Sequence, residues 1–280
     1  MSSIDRVPSI TLNDGRSIPQ LGFGVFQIPL EETKDATAVA LDVGYRHIDT
    51  AELYGNEAGV GEAVAASGVD REDVFVTSKL NNKHLDFDGA VVAGRQSARD
   101  LGGYVDLFLI HWPLTTISDF LPRWRALEQL QKEGVVRSIG VSNFQSAHLD
   151  RLLSEAEIEP AVNQIEVHPY LVQEELRRYD RDHGLVTEAW SPLAQGLVLD
   201  DATIVRVAES AGRTPAQVVL RWHLQRGDVV FPKSVTRARV EQNFEVFDFD
   251  LSDDDMAAIT ALDRGHRTGP DPDSFDFVPE

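Results

Sequence analysis

The chain has 280 residues, 42% of them hydrophobic, and its 46 acidic against 26 basic residues give a formal net charge of −20. This length and composition predict one large domain over residues 1–280 that buries about three quarters of its unfolded surface, with two domains as the less favoured alternative. The absence of cysteine excludes disulfides, iron–sulfur clusters and thiolate zinc sites.

Charge and hydropathy also limit the kinds of partner that the protein can bind. A net charge of −20 repels nucleic acid and anionic membrane surfaces. The sequence has neither an apolar stretch of 18 residues nor a basic-then-apolar N-terminus. We therefore expect a cytoplasmic protein that binds neither nucleic acid nor membrane. We expect no metal site, because His168 and His223 have no partners at metal-ligand spacing.

The chain begins with a predicted β-hairpin, residues 9–20, in which two short segments flank the turn signal Asn13-Asp14-Gly15. We expect this hairpin to close one end of the domain. Strands and helices then alternate without a break. The eight predicted strands are 21–25, 46–49, 74–79, 105–110, 135–141, 161–166, 185–190 and 229–232. The predicted helices are 31–43, 57–67, 87–102, 118–133, 146–154, 173–183, 201–211, 215–226, 237–244 and 252–262.

The strands indicate a parallel sheet, because segments such as 105–110 are almost continuously apolar, as strands buried on both faces are. Eight strand–helix units favour an α/β fold of the (β/α)8 TIM barrel type, with the N-terminal hairpin and extra C-terminal helices. A doubly wound sheet remains the alternative. Against it, Gly22-Phe23-Gly24 leads into a segment ending at Pro29 that cannot begin a helix, so no G-x-G-x-x-G dinucleotide-binding turn is present.

The C-terminal ends of barrel strands are where a site is expected. Asp49 and Lys79 end two neighbouring strands, Tyr54 lies just beyond Asp49, and His111 follows the next strand. A cation within roughly 4–6 Å favours an ionised phenol by about one to three pKa units, so we expect Lys79 to make Tyr54 a usable proton donor. Asp49 then holds Lys79, and His111 orients a carbonyl or passes a proton.

Each of these four residues has an ordinary structural explanation when taken alone. A strand-end aspartate is often a cap, a lysine is usually solvated, and a histidine can be a satisfied core residue. Their joint placement at adjacent strand ends favours a shared site.

Seven segments together resemble the aldo-keto reductase family along essentially the whole chain. They are G-Y-R-H-I-D-T-A-x-x-Y-x-N-E at 44–57, T-S-K-L at 77–80, L-I-H-W-P at 109–113, G-V-S-N-F at 140–144, V-N-Q at 162–164, S-P-L at 191–193 and F-P-K-S-V at 231–235. Within the family the chain most resembles the bacterial 2,5-diketo-D-gluconic acid reductases, through residues 24–26, 59–63 and 220–225.

The resemblance implies NADPH-dependent reduction of a ketone or aldehyde, with hydride from the nicotinamide and a proton from Tyr54. It implies that Lys79 lowers the pKa of Tyr54, that Asp49 pairs with Lys79 and that His111 orients the carbonyl. A regulatory or sensor subunit that binds NADPH with little turnover is the alternative, and a pure binder has no need of these four residues. The compact loops favour a monomer.

The resemblance also implies the cofactor contacts. Ser142, Asn143 and Gln164 match residues that hold the nicotinamide carboxamide, and Trp190 stands where the family usually has a tyrosine that stacks on the ring. The other expected cofactor-binding residues are Val25, Phe26, Ser191, Leu193, Gln195, Gly196, Lys233, Ser234, Val235, Thr236, Arg239, Gln242 and Asn243.

The distribution of basic residues bears on the choice between NADPH and NADH. Lys233, Arg237 and Arg239 form a basic island in an acidic chain, at the start of the predicted helix 237–244. Such a group suits the dianionic 2′-phosphate of NADPH, assisted by the helix N-terminus. We therefore expect a preference for NADPH over NADH.

One departure from the family concerns the substrate pocket. The family commonly has tryptophan after Lys-Leu, where this chain has Asn81. Losing that indole opens and polarises one wall beside Tyr54 and His111, with Phe26, Trp112 and Phe144 as apolar walls. This favours small or polar carbonyls, such as 2,5-diketo-D-gluconate or a small dicarbonyl. The other interpretation is that a different loop covers the pocket.

The C-terminal tail, residues 263–280, is rich in Asp, Pro and Gly, a composition typical of disorder. In the family the tail often folds over the pocket, which would bring Phe275 and Phe277 to the substrate. Both possibilities stay open from the sequence.

Overall fold

The computed structural model describes residues 7–279, and no helix in that range is long and apolar enough to cross a bilayer. The strands are β1 (Ser9–Thr11), β2 (Ser17–Pro19), β3 (Phe23–Gly24), β4 (His47–Asp49), β5 (Phe75–Leu80), β6 (Val105–Ile110), β7 (Val136–Ser142), β8 (Val162–Glu166), β9 (Val186–Trp190) and β10 (Val229–Val230). The helices are α1 (Leu30–Val43), α2 (Glu57–Ala66), α3 (Phe87–Asp100), α4 (Leu121–Lys132), α5 (Ser146–Glu155), α6 (Glu174–Asp182), α7 (Ala202–Ala211), α8 (Pro215–Gln225), α9 (Arg237–Phe244) and α10 (Asp253–Thr260).

Strands β3 to β10 form one parallel sheet in chain order. Leu21, just before β3, bridges in parallel to Val230 on β10. The Gly22 N–H donates to the Val230 carbonyl at 2.7 Å, and the Val230 N–H donates to the Gln20 carbonyl at 3.0 Å. These bonds join the first strand of the sheet to the last. The predicted (β/α)8 barrel is confirmed, and the doubly wound alternative is wrong.

The hairpin of β1 and β2 closes the N-terminal end of the barrel. The two strands pair antiparallel, with Ile10 opposite Ile18. Ile18 and Leu12 are buried against side chains of β6 and β10, among them Leu107 and Val229. The end opposite the predicted site is therefore filled by an apolar plug.

Some elements are shorter than predicted, and proline explains two of the differences. The helix expected from residue 118 begins at Leu121, because Pro122 lacks an N–H and fits only the first turn. Strand β10 ends at Val230, two residues before Pro232, which has no N–H to donate to a ladder. The strand expected at 21–25 covers only Phe23–Gly24.

Helices α2 and α3 approach each other closely at a glycine. A Cβ at Gly61 would lie 1.9 Å from the carbonyl oxygen of Asp100, so any side chain there displaces backbone. Gly59 on the same helix has room, since its Cβ would lie 3.4 Å from Thr33 Cβ. A methyl group therefore fits at Gly59 but not at Gly61.

We expect Gly61→Ala to lower the free energy of unfolding by about 1–3 kcal/mol, because the added methyl group forces the two helices apart. Gly59→Ala is the matched control. It should be neutral or raise stability by up to about 1 kcal/mol, because alanine favours the helix. Urea unfolding of both variants measures the difference, and equal stabilities would contradict the close contact.

Candidate active site

A buried ion pair lies at the C-terminal end of the barrel. The ammonium of Lys79, on β5, donates to Asp49 Oδ1 at 2.8 Å, to Asp49 Oδ2 at 2.9 Å and to the carbonyl of Thr50 at 2.9 Å. Lys79 is 1% exposed and Asp49 is 2% exposed. All three ammonium hydrogens are used, which is the condition under which two buried charges can be kept.

The pair is ionised at neutral pH. Burial alone would lower the pKa of Lys79, but the charge and hydrogen bond of Asp49, together with Tyr54 and Glu188, raise it overall. Burial raises the pKa of Asp49, and the Lys79 ammonium and the hydrogen bond from Gln164 oppose that rise without reversing it. We regard Asp49 as a carboxylate because both of its oxygens accept hydrogen bonds from one ammonium.

Tyr54 stands beside this pair, in a short 3-10 helix (Glu52–Tyr54) that follows β4. The Lys79 ammonium lies 5.2 Å from the centre of the Tyr54 ring. The rings of Phe26 and His111 lie 5.0 and 5.9 Å from it, measured between ring centroids. Burial raises the pKa of Tyr54, and Lys79 acts in the lowering direction without reversing it. The expected net lowering is therefore wrong, and the phenol keeps its proton at neutral pH.

His111 is held neutral. Burial, and then the charge of Lys79, lower its pKa well below the usual value. Its Nδ1 is buried and has no hydrogen-bond partner within residues 7–279. Its backbone carbonyl accepts from Asn143 Nδ2 at 3.0 Å, which fixes the residue at the end of β6. A neutral imidazole can donate a hydrogen bond to a carbonyl oxygen, but it does not act as a cationic acid.

The residues expected at the nicotinamide end form one hydrogen-bonded arc over β7, β8 and β9. Ser142 Oγ donates to the Gln164 carbonyl at 2.9 Å, and Asn143 Nδ2 donates to Ser142 Oγ at 3.1 Å. Trp190 Nε1 donates to Asn143 Oδ1 at 2.9 Å. The indole N–H therefore supplies a polar contact at the position where the family usually has a tyrosine hydroxyl.

Gln164 links this arc to the ion pair. Its Nε2 donates to Asp49 Oδ2 and to Glu188 Oε2, both at 2.8 Å. Its Oε1 accepts no hydrogen bond from any residue that the structure describes. The sequence analysis did not identify Glu188. A signal was available, since Glu188 lies two residues before Trp190 on β9 and so shares its face of the strand.

The loop after β9 has unusual backbone geometry. Ser191, Ala194 and Gln195 have φ values of 50°, 48° and 55°, in the left-handed region that non-glycine residues rarely adopt. Such strain clusters at functional loops. Three apolar side chains that follow barrel strands are half exposed at this end: Phe26 at 51%, Leu197 at 57% and Val235 at 51%. Together they offer an apolar surface to a ligand.

The basic island is smaller than predicted. Arg237 pairs with Asp42 and, at 3.1 Å, with Glu241 one turn along α9. Lys233 and Arg239 are exposed and form no ion pair within residues 7–279. The free positive charge therefore comes from two residues, not three.

The other predicted cofactor residues lie in the segments that follow β3, β9 and β10 and on α9. The Val25 N–H donates to the Asp49 carbonyl at 3.0 Å, and the Thr236 N–H donates to Ser234 Oγ at 3.1 Å. Leu193 and Gly196 are partly buried in the loop after β9. On α9, Gln242 is exposed and Asn243 is buried.

The predicted substrate side is covered by the C-terminal tail. Phe275 stacks on Trp112 with ring centroids 4.1 Å apart and planes inclined by 36°. Asn82 Nδ2 donates to the Phe277 carbonyl at 3.0 Å. Asn81 Oδ1 accepts from the Lys83 N–H at 3.2 Å, and the Asn81 backbone N–H donates to Glu52 Oε2 at 3.1 Å. The tail thus covers Trp112, and the effect of Asn81 on the pocket wall stays a prediction.

Glu166, at the end of β8, holds the tail in place. Its Oε1 accepts from the Thr268 N–H at 2.6 Å, from Thr268 Oγ1 at 2.5 Å and from His168 Nε2 at 3.1 Å. Gly269 follows directly, and a Cβ there would lie 2.4 Å from the Trp190 ring. The disorder that the tail composition indicated is therefore not observed up to residue 279.

Comparisons with known proteins agree with this geometry. The family model described as aldo/keto reductase family matches residues 20–264. An aldo-keto reductase of Mycolicibacterium smegmatis is 52% identical over 272 residues, covering 97% of this chain and 99% of the relative. The methylglyoxal reductase DkgA of Escherichia coli is 47% identical over 269 residues, covering 95% and 97%. A Gox0644 mutant solved in complex with NADPH has a TM-score of 0.93 at 44% identity, covering 97% and 99%.

The chain belongs to the aldo/keto reductase family. It is accordingly an NADPH-dependent oxidoreductase that acts on carbonyl groups. The resemblance on which the sequence prediction relied is confirmed. Within residues 7–279 no group of three His, Asp or Glu side chains is arranged to bind a metal ion.

Proposed function

We propose that the chain reduces a small or polar ketone or aldehyde to the alcohol, with Tyr54 as proton donor. NADPH supplies the hydride when it is bound. The observation that carries this proposal is the contact of Tyr54 with both the buried Lys79–Asp49 pair and the neutral His111. The rival function, a sensor subunit with little turnover, leaves this costly buried pair without a purpose.

The proposed proton transfer follows from the ionisation states. Tyr54 remains protonated and donates its proton to the carbonyl oxygen as negative charge develops there. The Lys79 ammonium then stabilises the phenolate that Tyr54 becomes, and Asp49 keeps Lys79 charged and in place. A positioned general acid contributes about 10²–10⁴ in rate. The His111 N–H donates to the same oxygen, a contribution of about 2.7–4 kcal/mol for a preorganised donor.

The residues at the C-terminal end of the barrel fit the cofactor. Gln164 Oε1 has no hydrogen-bond donor in the described chain, and it suits a carboxamide N–H. The half-buried indole of Trp190 provides a flat face for the nicotinamide ring. Lys233 and Arg239 are exposed cations without carboxylate partners, and they suit the 2′-phosphate. All of these residues come from one chain, so we propose that the monomer is the working unit.

The proposed substrate class rests on the apolar walls and the covering tail. Phe26 and Trp112 border Tyr54 and His111, and Phe275 covers Trp112. We infer that these rings limit the space for a bulky hydrophobic group beside the proton donor. The methylglyoxal reductase DkgA, 47% identical, supports a small dicarbonyl, and 2,5-diketo-D-gluconate is the larger candidate.

We expect Tyr54→Phe to lower kcat/KM for methylglyoxal by about 10²–10⁴-fold, because the general acid is lost. The dissociation constant of NADPH, from quenching of protein fluorescence, should stay within about twofold. Tyr179→Phe is the matched control, since it removes a surface hydroxyl that donates to Asp150. A Tyr54→Phe variant as fast as wild type would favour the sensor subunit.

We expect Arg239→Met to raise the KM for NADPH by at least about tenfold, because a charge-assisted contact with the 2′-phosphate is lost. The KM for NADH, which has no such phosphate, should not change. Arg237→Met removes the same charge from the same helix, but Arg237 is already paired with two carboxylates. We expect less than a threefold effect there, and an unchanged NADPH/NADH ratio in Arg239→Met would refute the assignment.

We expect the wild type to reduce methylglyoxal and keto-sugar acids with a higher kcat/KM than a bulky aromatic aldehyde. Phe275→Ala removes the ring that stacks on Trp112, so it should raise kcat/KM for the bulky aldehyde by about tenfold relative to methylglyoxal. Phe277→Ala is the comparison, because that ring is 55% exposed. Equal preferences in all three proteins would argue against the tail as a wall of the pocket.

A further inference from the structure

A second buried carboxyl lies behind the Lys79–Asp49 pair and takes no part in the proton transfer. Glu188, on β9, is completely buried. Its Oε2 accepts from Gln164 Nε2 at 2.8 Å, and the same Nε2 donates to Asp49 Oδ2 at 2.8 Å. The two amide hydrogens of Gln164 are thus divided between two carboxyl groups. Together they define which way the amide points.

Three titratable groups face Glu188: Asp49, Lys79 and His47. Asp49 repels a second negative charge. Lys79 attracts it, but its three ammonium hydrogens already go to Asp49 and Thr50. No hydrogen-bond donor within residues 7–279 contacts Glu188 Oε1. An ionised carboxylate buried with a bare oxygen costs much more than a neutral acid.

The imidazole of His47 favours the neutral acid as well. Its Nδ1 lies 3.3 Å from the Pro19 carbonyl, which can only accept, so Nδ1 carries the ring proton. Its Nε2 then accepts from Thr77 Oγ1 at 3.0 Å. This unprotonated Nε2 lies 3.9 Å from Glu188 Oε1. Because Nε2 carries no hydrogen, the ring cannot donate to Glu188 Oε1, and this favours a protonated Glu188 over an ionised one.

The titration behaviour agrees with this geometry. Burial, and then the charge of Asp49, raise the pKa of Glu188 to about 8. Burial lowers the pKa of His47 to about 3, so the ring is neutral at every pH of interest. Near neutral pH the cluster therefore contains one cation, Lys79, one anion, Asp49, and a neutral Glu188.

We propose that neutral Glu188 is a positioning residue for the cofactor, in that it locks the Gln164 amide with Oε1 toward the nicotinamide carboxamide. This role rests on the proposed function, in which Gln164 contacts the nicotinamide end. If the amide turned over, Asp49 and Glu188 would both lose a donor, and an N–H would meet the carboxamide. Glu188 thereby connects the catalytic ion pair to the placement of the hydride donor.

The position is tested with two variants of similar size. Glu188→Met keeps the volume but offers no oxygen to Gln164. Glu188→Gln resembles the protonated acid and keeps an acceptor. Fluorescence titrations at pH 7 measure the binding of NADPH and of 2′,5′-ADP, which shares only the adenosine end. The kcat for methylglyoxal is measured in parallel.

We expect Glu188→Met to weaken NADPH binding about fivefold or more while 2′,5′-ADP binding stays within about twofold. The kcat should fall as well, because the nicotinamide is no longer held in one pose. Glu188→Gln should remain within about threefold of wild type for both ligands. Unchanged NADPH binding in Glu188→Met, or equal weakening of both ligands, would overturn the proposal. A wild type that binds NADPH but reduces no carbonyl would instead overturn the proposed function.

A pH comparison decides the question if Glu188→Met does not fold. Above about pH 8 the ionised Glu188 places a second negative charge beside Asp49 and disturbs the shared amide. We expect the ratio of NADPH to 2′,5′-ADP affinity in the wild type to fall at least threefold between pH 7 and pH 9. The same ratio should stay constant in Glu188→Gln. Identical pH profiles in the two proteins would refute the assignment of the proton to Glu188.

Discussion

The ion pair between Lys79 and Asp49 is the interaction on which the rest of the site depends. Two charges removed from water in a barrel interior persist only with complete hydrogen bonding. The carbonyl of Thr50 and the amide of Gln164 supply the remaining partners. Gln164 lies on β8, four strands from β4 in the sheet, so its contact with Asp49 crosses the barrel. The contact between Gln164 and Asp49 therefore requires the closed sheet, and an open sheet would leave Asp49 without this donor.

The tail gives the open end of the barrel its shape. Its backbone is fixed by Glu166, at the end of β8, and by Asn82, which follows β5. Hydrogen bonds from His168 and Thr268 lower the pKa of Glu166 although burial acts in the opposite direction, so the carboxylate stays charged and holds the tail firmly. Phe275 is thereby kept over Trp112. A segment whose composition indicates disorder thus becomes a wall, because one buried carboxylate satisfies its N–H groups.

The sequence predicted the features that follow from local pattern. Alternating strands and helices placed Asp49, Lys79 and His111 at strand ends, since parallel strands deliver their C-terminal residues to one edge. Contacts across the barrel were beyond this reasoning, because Gln164 and Asp49 meet only after the sheet closes. The sign of the Tyr54 pKa shift also depended on burial, which a sequence does not measure. The pairing of Arg237 with Asp42 is another contact between residues far apart in the chain.

That pairing explains how an acidic protein can bind an anionic cofactor. The net charge of −20 repels a phosphate at long range, but at physiological salt the screening length is about 8 Å, so nearby charges decide affinity. Arg237 pairs with Asp42 and Glu241 and so cancels one of their two negative charges. Lys233 and Arg239 form no ion pair within residues 7–279 and keep their positive charge beside the start of α9. Arg237 thus cancels negative charge beside α9, and under the proposed assignment the direct attraction comes from Lys233 and Arg239.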